Sequence, residues 1–292
     1  MNDINDILKR NNILGCKYKK NGKCIIVNNK EKNIVIKPNK TNIYEYLNYR
    51  NFNNFPNIFI DNGYEIIEYI EPLDIPVEQK MIDLINIVSS LHKKTTYYKK
   101  ISEFNIDDIY SDISKKIEDV KLFYDKLLFD AENSIYMSPS NYLLVRNISS
   151  INFMINTCET NMKKWLDKIK ETDKIRVSVI HNNLNLNHFI NNTLISWDKS
   201  KIGLPIFDLY ILYTNTYNEY DWNELLDIYI NNYPLKEDEL FMFYTLIGLP
   251  LKPNLTNIEI DNVKEINEKL NYLKLSKDLI SKRKFETNKK NE

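Results

Sequence analysis

The side chains with the most chemical potential in this 292-residue chain fall within one stretch. An apolar run, Val177-Ser-Val-Ile180, leads into a polar loop, His181-Asn-Asn183-Leu-Asn-Leu-Asn-His188. Leu194-Ile-Ser196-Trp-Asp198 follows, and then Gly203-Leu-Pro-Ile-Phe-Asp208. Imidazoles and carboxylates can move protons at neutral pH. Carboxylates can also hold a hard cation such as Mg²⁺, whereas an amide or a hydroxyl is a neutral, weak ligand for it. Upstream, Lys37 ends a β-branched run and offers a cation, and Glu45, Glu68 and Glu71 offer further carboxylates. Other chemistries have less support. The cysteines, Cys16, Cys24 and Cys158, are odd in number, far apart and form no CxxC pair, so neither a disulfide framework nor a zinc site is expected. With three histidines in all, a multi-histidine metal site is not expected either.

The elements that must position these groups can be read from periodicity. Strands are expected at 23–27 and 33–37, joined as a hairpin through the polar segment 28–32, with the turn signal Asn21-Gly22 ahead of them. Pro38 ends the second strand. Thr41 is placed to cap a short helix from about Asn42 to Arg50. Two more strands, at 57–60 and 65–70, flank the hairpin signal Asp61-Asn62-Gly63. Beyond Pro72 and Pro76 the period turns helical. Ile82, Ile85, Val88 and Leu91 form a stripe that runs to His92. Helices are expected at about 106–132 and 159–171, then a strand at 176–180 and a hairpin from Phe189 through Asn191-Asn192 to Trp197. The chain is expected to be mainly helical from about 206 to 275 and to fray in its charged tail.

Composition sets wider bounds. Lys plus Arg and Asp plus Glu number 40 each, so the chain lacks the basic excess of a dedicated nucleic-acid binder. Hydrophobic residues at 43% suffice for a sizeable core. No apolar run approaches the roughly 20 residues that span a bilayer. The opening MNDINDILKRNN has acidic residues and no apolar segment, so no secretory leader is expected. These features predict a soluble cytoplasmic protein with neither nucleic acid nor membrane as a partner.

The block from His181 to Leu209 resembles the aminoglycoside phosphotransferase and choline kinase-like superfamily. Members carry a strand, H-G-D-x-x-x-x-N, an apolar strand, I-D-[FW]-[DE] and then D-L about a dozen residues on. Ile34-Val-Ile-Lys37-Pro38 looks like the strand whose lysine holds nucleotide phosphates. Glu68-Tyr-Ile-Glu71 looks like the hinge, and Ser89-Ser-Leu-His92 like the end of the first large-lobe helix. The resemblance spans about residues 23–230 and is closest to the CotS-type spore-coat branch. It implies an α+β, protein-kinase-like two-lobed fold. A small antiparallel-sheet lobe would occupy residues 1–71, and a mainly helical lobe would occupy 72–292 and contain the degenerate catalytic loop.

The resemblance also assigns roles, and three positions carry the wrong residue. Asn183 stands where the superfamily has its base aspartate, His188 where it has a metal-binding asparagine, and Ser196 where it has the metal-bridging aspartate. A neutral amide cannot act as a base, and loss of a positioned base costs about 10²–10⁴ in rate. Lys37, Glu45, Glu68 and Glu71 would line a vestigial nucleotide cleft, with Glu45 as the ion-pair partner of Lys37. Lys37 could equally be a solvated strand-end residue. His181 and Asp208 would be structural, His92 a helix-end contact and Trp197 core. Gly22 is the one glycine near the expected phosphate loop, a poor cradle for phosphate. If the hairpin register slips by two residues, Asp198 takes the metal role, since such a slip keeps the same face. The spacing to Asp208 argues against it.

The function implied is a catalytically degenerate, spore-coat-type structural or interaction protein that requires no cofactor and has other coat proteins as partners. The resemblance further implies deposition on the spore coat. The alternatives are an active small-molecule kinase using ATP and Mg²⁺ on a hydroxylated acceptor, or a nucleotide or metabolite sensor.

Overall fold

Alternation along the first strands decides the small sheet. The computed structural model describes Ile7, Leu8, Arg10, Lys17–Asn21, Cys24–Asn28 and residues 33–290, with side chains except at 17, 18, 21 and 284–290. Cys16, Gly22 and residues 29–32 lie outside the described residues. Among those described, β1 (Lys17–Asn21), β2 (Cys24–Asn28), β3 (Asn33–Pro38), β4 (Ile58–Asp61) and β5 (Tyr64–Glu68) form one antiparallel sheet in the order β1-β2-β3-β5-β4. Ile25, Val27, Ile34, Ile36, Tyr64 and Ile66 pack on one face with Ile7 and Leu8. Successive side chains alternate across a strand. Cys24, Val35, Lys37, Glu65 and Ile67 therefore share the other face, and Val35 pairs with Ile67 and Lys37 with Glu65 across the β3–β5 ladder.

Local signals account for the joints. Asn62 and Gly63 turn the β4–β5 hairpin with φ of 46° and 78°, the left-handed pair that a tight hairpin demands. Helix α1 (Ile43–Tyr49) follows Thr41, whose hydroxyl accepts from the Ile43 N–H at 3.3 Å. Helix α2 (Val77–Thr95) buries the stripe Met81, Leu84, Ile85, Val88, Leu91 and His92. It runs one turn past the expected end at His92, where the Thr95 hydroxyl donates to the Leu91 carbonyl at 2.7 Å. The same hydroxyl accepts from the Val179 N–H at 3.1 Å.

The rest is mostly helical. Strand β6 (Tyr97–Lys100) pairs with residues 174–177 of β7 (Lys174–Ile180), and β10 (Lys201–Gly203) pairs with residues 178–180. Between β7 and β10 lie the two-residue strands β8 (Phe189–Ile190) and β9 (Thr193–Leu194). The long helices are α3 (Ile106–Glu132), α4 (Pro139–Thr172) and α8 (Glu259–Lys290), with α5 (Ile206–Thr216), α6 (Trp222–Asn232) and α7 (Glu237–Gly248) between the last two. Helix α4 begins at Pro139, well before the position expected near Glu159. Ser138 caps it by accepting from the Asn141 N–H at 3.2 Å, and Pro139 occupies a first-turn position that needs no N–H. Its Asn147, Thr157 and Thr160 satisfy their side chains on carbonyls four residues earlier. Its buried Leu144, Ile151, Ile155, Cys158, Met162, Trp165 and Ile169 form the spine that packs on α3, α7 and α8. Helix α8 continues to Lys290 where a frayed tail was expected, in a run of Lys, Arg and Glu that favours helix.

The architecture is α+β, with a small antiparallel sheet followed by a mainly helical remainder. The chain forms two compact units. One is Met1–Thr95 with Ser178–Gly203, and the other is Thr96–Val177 with Leu204–Glu292. Among the described residues, no helix is long and apolar enough to cross a membrane.

Candidate functional site

The first unit contains most of the residues singled out above. The loop at residues 181–188 is held by its two histidines. Buried His181 donates from Nε2 to the Ile195 carbonyl at 2.8 Å, and its ring meets Trp197 edge-on at 4.9 Å. His188 sits 2.7 Å from the Asn183 carbonyl through Nδ1. A carbonyl only accepts, so Nδ1 is the donor in this contact. Asn185 closes the loop from beneath, accepting from the N–H groups of Asn187 and His188 at 2.8 and 3.1 Å.

The following hairpin is pinned by asparagine. Asn191 and Asn192 turn it with φ of 47° and 60°. The Asn191 amide donates to the Glu71 carbonyl at 2.7 Å and accepts from the Leu73 N–H at 3.0 Å. Asn54 donates to the Asn192 carbonyl at 2.9 Å, and its own carbonyl accepts from the Leu194 N–H at 2.8 Å. Strand β9 ends at Leu194, short of the expected Trp197. Ser196 adopts a left-handed conformation, φ 66° and ψ 50°, and Trp197–Lys199 form a single 3₁₀ turn with Trp197 buried. No strand alternation runs through 195–198, so Ser196 lines a pocket with Lys37 while Asp198 also reaches the Lys37 ammonium.

Lys37 is the centre of the site. It is only 6% exposed, and its ammonium lies 3.1 Å from Glu65 Oε2 and 3.1 Å from Asp198 Oδ1. Glu65 is fully buried. Its Oε2 also accepts from the Tyr44 hydroxyl at 3.2 Å, while Oε1 has no hydrogen-bond partner. Burial pushes the Glu65 carboxyl above the usual carboxylate range, against the lowering pull of Lys37 and Tyr44. The Tyr44 phenol is raised by burial and by the Glu65 charge beside it. Burial likewise raises the Cys24 thiol, so this free cysteine is a poor nucleophile at neutral pH. Glu45 is exposed in the first turn of α1, and the carboxylates that meet Lys37 are Glu65 and Asp198.

Above Lys37 lies a pocket of about 120 Å³. Val35 and Ile67 wall it from the sheet and Ile190 and Ile195 from the hairpin side. Glu68, Tyr69 and Ile70 run along its edge, and Ser196 and Cys24 complete the lining. Its lining is mainly aliphatic, with Lys37, Glu68 and Ser196 as its polar members. Mg²⁺ fits poorly. Asn183, His188 and Ser196 are neutral donors, and Asp198 brings the one carboxylate of this loop segment, already on Lys37. Among the described residues, no group of three or more His, Cys, Asp or Glu side chains could hold a metal ion. Glu71 is exposed and takes part through its backbone carbonyl. Asp208 is fully buried in the first turn of α5, in the second unit. Glu65 and Tyr44 are the site residues that the sequence reading missed. No sequence signal pairs Glu65 with Lys37, because they meet through the β3–β5 ladder and the two strands are not joined as a hairpin.

Known structures share this arrangement of elements. The chain is similar in fold to a phosphotransferase. An aminoglycoside phosphotransferase from Alicyclobacillus acidocaldarius superposes with a TM-score of 0.67 over 91% of this chain and 92% of that one, at 8% identity. The AMP-bound spectinomycin phosphotransferase gives a TM-score of 0.50 over 94% and 93%, at 13% identity. A choline kinase from Streptococcus pneumoniae aligns over 92% and 99% with a TM-score of 0.47, at 14% identity. No family profile and no curated protein sequence matches. At these identities the likeness is one of fold, the kinase-like fold expected from the sequence.

Proposed function

We propose that this is a kinase-like binding or scaffold protein that does not carry out ordinary Mg·ATP phosphoryl transfer. The observation that carries the reading is the scarcity of carboxylates in the loop segment. Asn183, His188 and Ser196 supply neither a base carboxylate nor an anionic metal ligand, and the carboxylate that is present, Asp198, lies 3.1 Å from the Lys37 ammonium. Phosphoryl transfer depends on positioned cations and carboxylates rather than on covalent chemistry, so their replacement removes most of what such a site contributes. The finer reading, a spore-coat-type structural or interaction protein with coat proteins as partners, rests on the sequence resemblance. One observation favours a second reading. Asp198 reaches the Lys37 ammonium and could serve an active small-molecule kinase as its sole loop carboxylate.

The deciding experiment is an ATP-consumption assay with Mg²⁺ and a panel of hydroxylated acceptors. Background-level turnover across the panel is expected. Acceptor-dependent ADP release that disappears in Asp198→Asn would replace the first reading with the second.

A further inference from the structure

We infer that one end of the helical unit is a self-association surface, where two copies of this chain join about a two-fold axis. This goes beyond the proposed function and uses no residue of the Lys37 site.

Three stretches of the second unit build the surface. Helix α3 ends at Glu132 and α4 begins at Pro139. The turn between them carries Ile135, Tyr136 and Met137 in succession, the first two 92% and 89% exposed. Phe129 in the last turn of α3 and Tyr142 in the first turn of α4 flank it, each more than half exposed. The third stretch leads into α8 and is fastened to both other helices. The Tyr124 hydroxyl of α3 donates to the Leu251 carbonyl at 2.6 Å, and the Ser140 N–H of α4 donates to Glu259 Oε1 at 2.6 Å. This stretch adds Leu255, Ile258 and Ile260, all exposed. The backbone beneath these side chains is anchored. Asn133 and Ser134 donate to the Phe129 and Ala131 carbonyls, both at 2.7 Å. The Asn262 amide grips both backbone groups of Thr256, at 2.7 and 2.9 Å. The apolar side chains are therefore held outward on a firm base.

Size and charge name the occupant. An aromatic side chain alone can bury about 150–250 Å², so the patch presents on the order of 800 Å². The largest apolar patch of a typical monomer is about 300–600 Å². One partner of a stable complex buries about 800 Å². The charges beside the patch are Lys126, Arg146 and Lys252, and, of opposite sign, Asp130, Glu132 and Asp261, all exposed. An anionic lipid surface or a nucleic acid would call for a cationic rim. A balanced rim suits a second copy, because a two-fold axis sets residue i on j and j on i, so that cations of one copy can meet anions of the other. Tyr, Phe and Met at the centre with charges at the edge is the make-up of such interfaces.

The test is sedimentation velocity of the full chain over a concentration series. A dimer is expected at about 10 µM, since interfaces of this area give micromolar or tighter constants. Tyr136→Asp and Ile260→Asp are each expected to weaken it at least tenfold. Tyr49→Asp, which removes an exposed aromatic of the first unit, is expected to leave it unchanged. Should either patch variant unfold, hydrogen exchange on the wild type decides, with protection at 133–142 and 255–262 expected to rise with protein concentration. A monomer at ten times that concentration, a dimer that both patch variants leave intact, or exchange there that ignores concentration would each overturn the inference. Binding of a monomeric wild type to phosphatidylcholine vesicles, lost in Tyr136→Asp, would overturn it in favour of a lipid surface.

Discussion

At the residue scale, one lysine and the two carboxylates around it explain most of the site. Lys37 and Glu65 face each other across β3 and β5, so the sheet register alone brings them together. Asp198 arrives from a distant loop because Ser196 takes a left-handed conformation that turns the chain back. Burial holds the Glu65 carboxyl above its ordinary range, so the folded state binds its proton more tightly than the unfolded chain does. The sign follows. This group's contribution to stability is fully present below the normal glutamate pKa of about 4.3 and declines as pH rises through the raised folded value. Denaturant unfolding from pH 4 upward should therefore show a falling component for the wild type that is absent in Glu65→Gln. An unchanged slope in that variant would mean that Lys37 fully offsets the burial. Part of this site was legible in the sequence. The types at Asn183, His188, Ser196 and Asp198 could be read directly, whereas the sequence left Lys37 equally open as a cleft cation or a solvated strand end. Glu65 could not, because its partner is fixed by ladder register, and periodicity gives a strand's face without its neighbour.

At the element scale, the fold follows from alternation, capping and a few left-handed asparagines. The β4–β5 hairpin and the small sheet were visible in Asp61-Asn62-Gly63 and the β-branched runs. The start of α4 was not, since its first turns are rich in Asn and Ser, which favour caps and turns when judged by propensity alone. The Ser138–Pro139 pair outweighs that preference. The break after β9 was hidden for a related reason. A serine at φ 66° is uncommon, and nothing in its neighbours' types announces it. The β8–β9 hairpin offers a clean test of what holds the pocket wall. Asn191→Gly keeps the positive φ without strain but removes both side-chain bonds, to the Glu71 carbonyl and from the Leu73 N–H. These bonds are exposed, so each is worth about 0.5–1.5 kcal/mol at most. The expected loss in chemical denaturation is about 1 kcal/mol, accompanied by weaker ligand binding, because Ile190 lines the pocket. Stability and binding both unchanged would show that Asn54 alone fixes the hairpin.

At the scale of the whole molecule, the chain's order and its compact units do not coincide. The first unit is assembled from two separated stretches, Met1–Thr95 and Ser178–Gly203, and the second from the two that remain. No single cut along the sequence describes that arrangement, because the returning stretch is recruited by contacts such as Lys37 with Asp198 and Asn54 with Asn192. The pocket lining, from Cys24 to Ser196, belongs wholly to the first unit. Amide exchange reports cooperative units of this kind, since segments that open together exchange together. Adding a saturating ligand of this pocket should therefore slow exchange in β3, β5 and residues 189–198 as one group. A ligand binding only the native state stabilises it by mass action, about 2.7 kcal/mol at a hundredfold excess over its dissociation constant. Slowing should thus reach α2 as well, which belongs to the same unit although it does not line the pocket. Helices α3 and α4, which form the spine of the second unit, should show little change. If they slowed by the same factor as β3, the two units would open as one body, and the pocket would draw on the stability of the entire chain. If only the lining residues slowed, the first unit itself would divide, and 178–203 would be a locally mobile flap rather than part of the sheet's cooperative core.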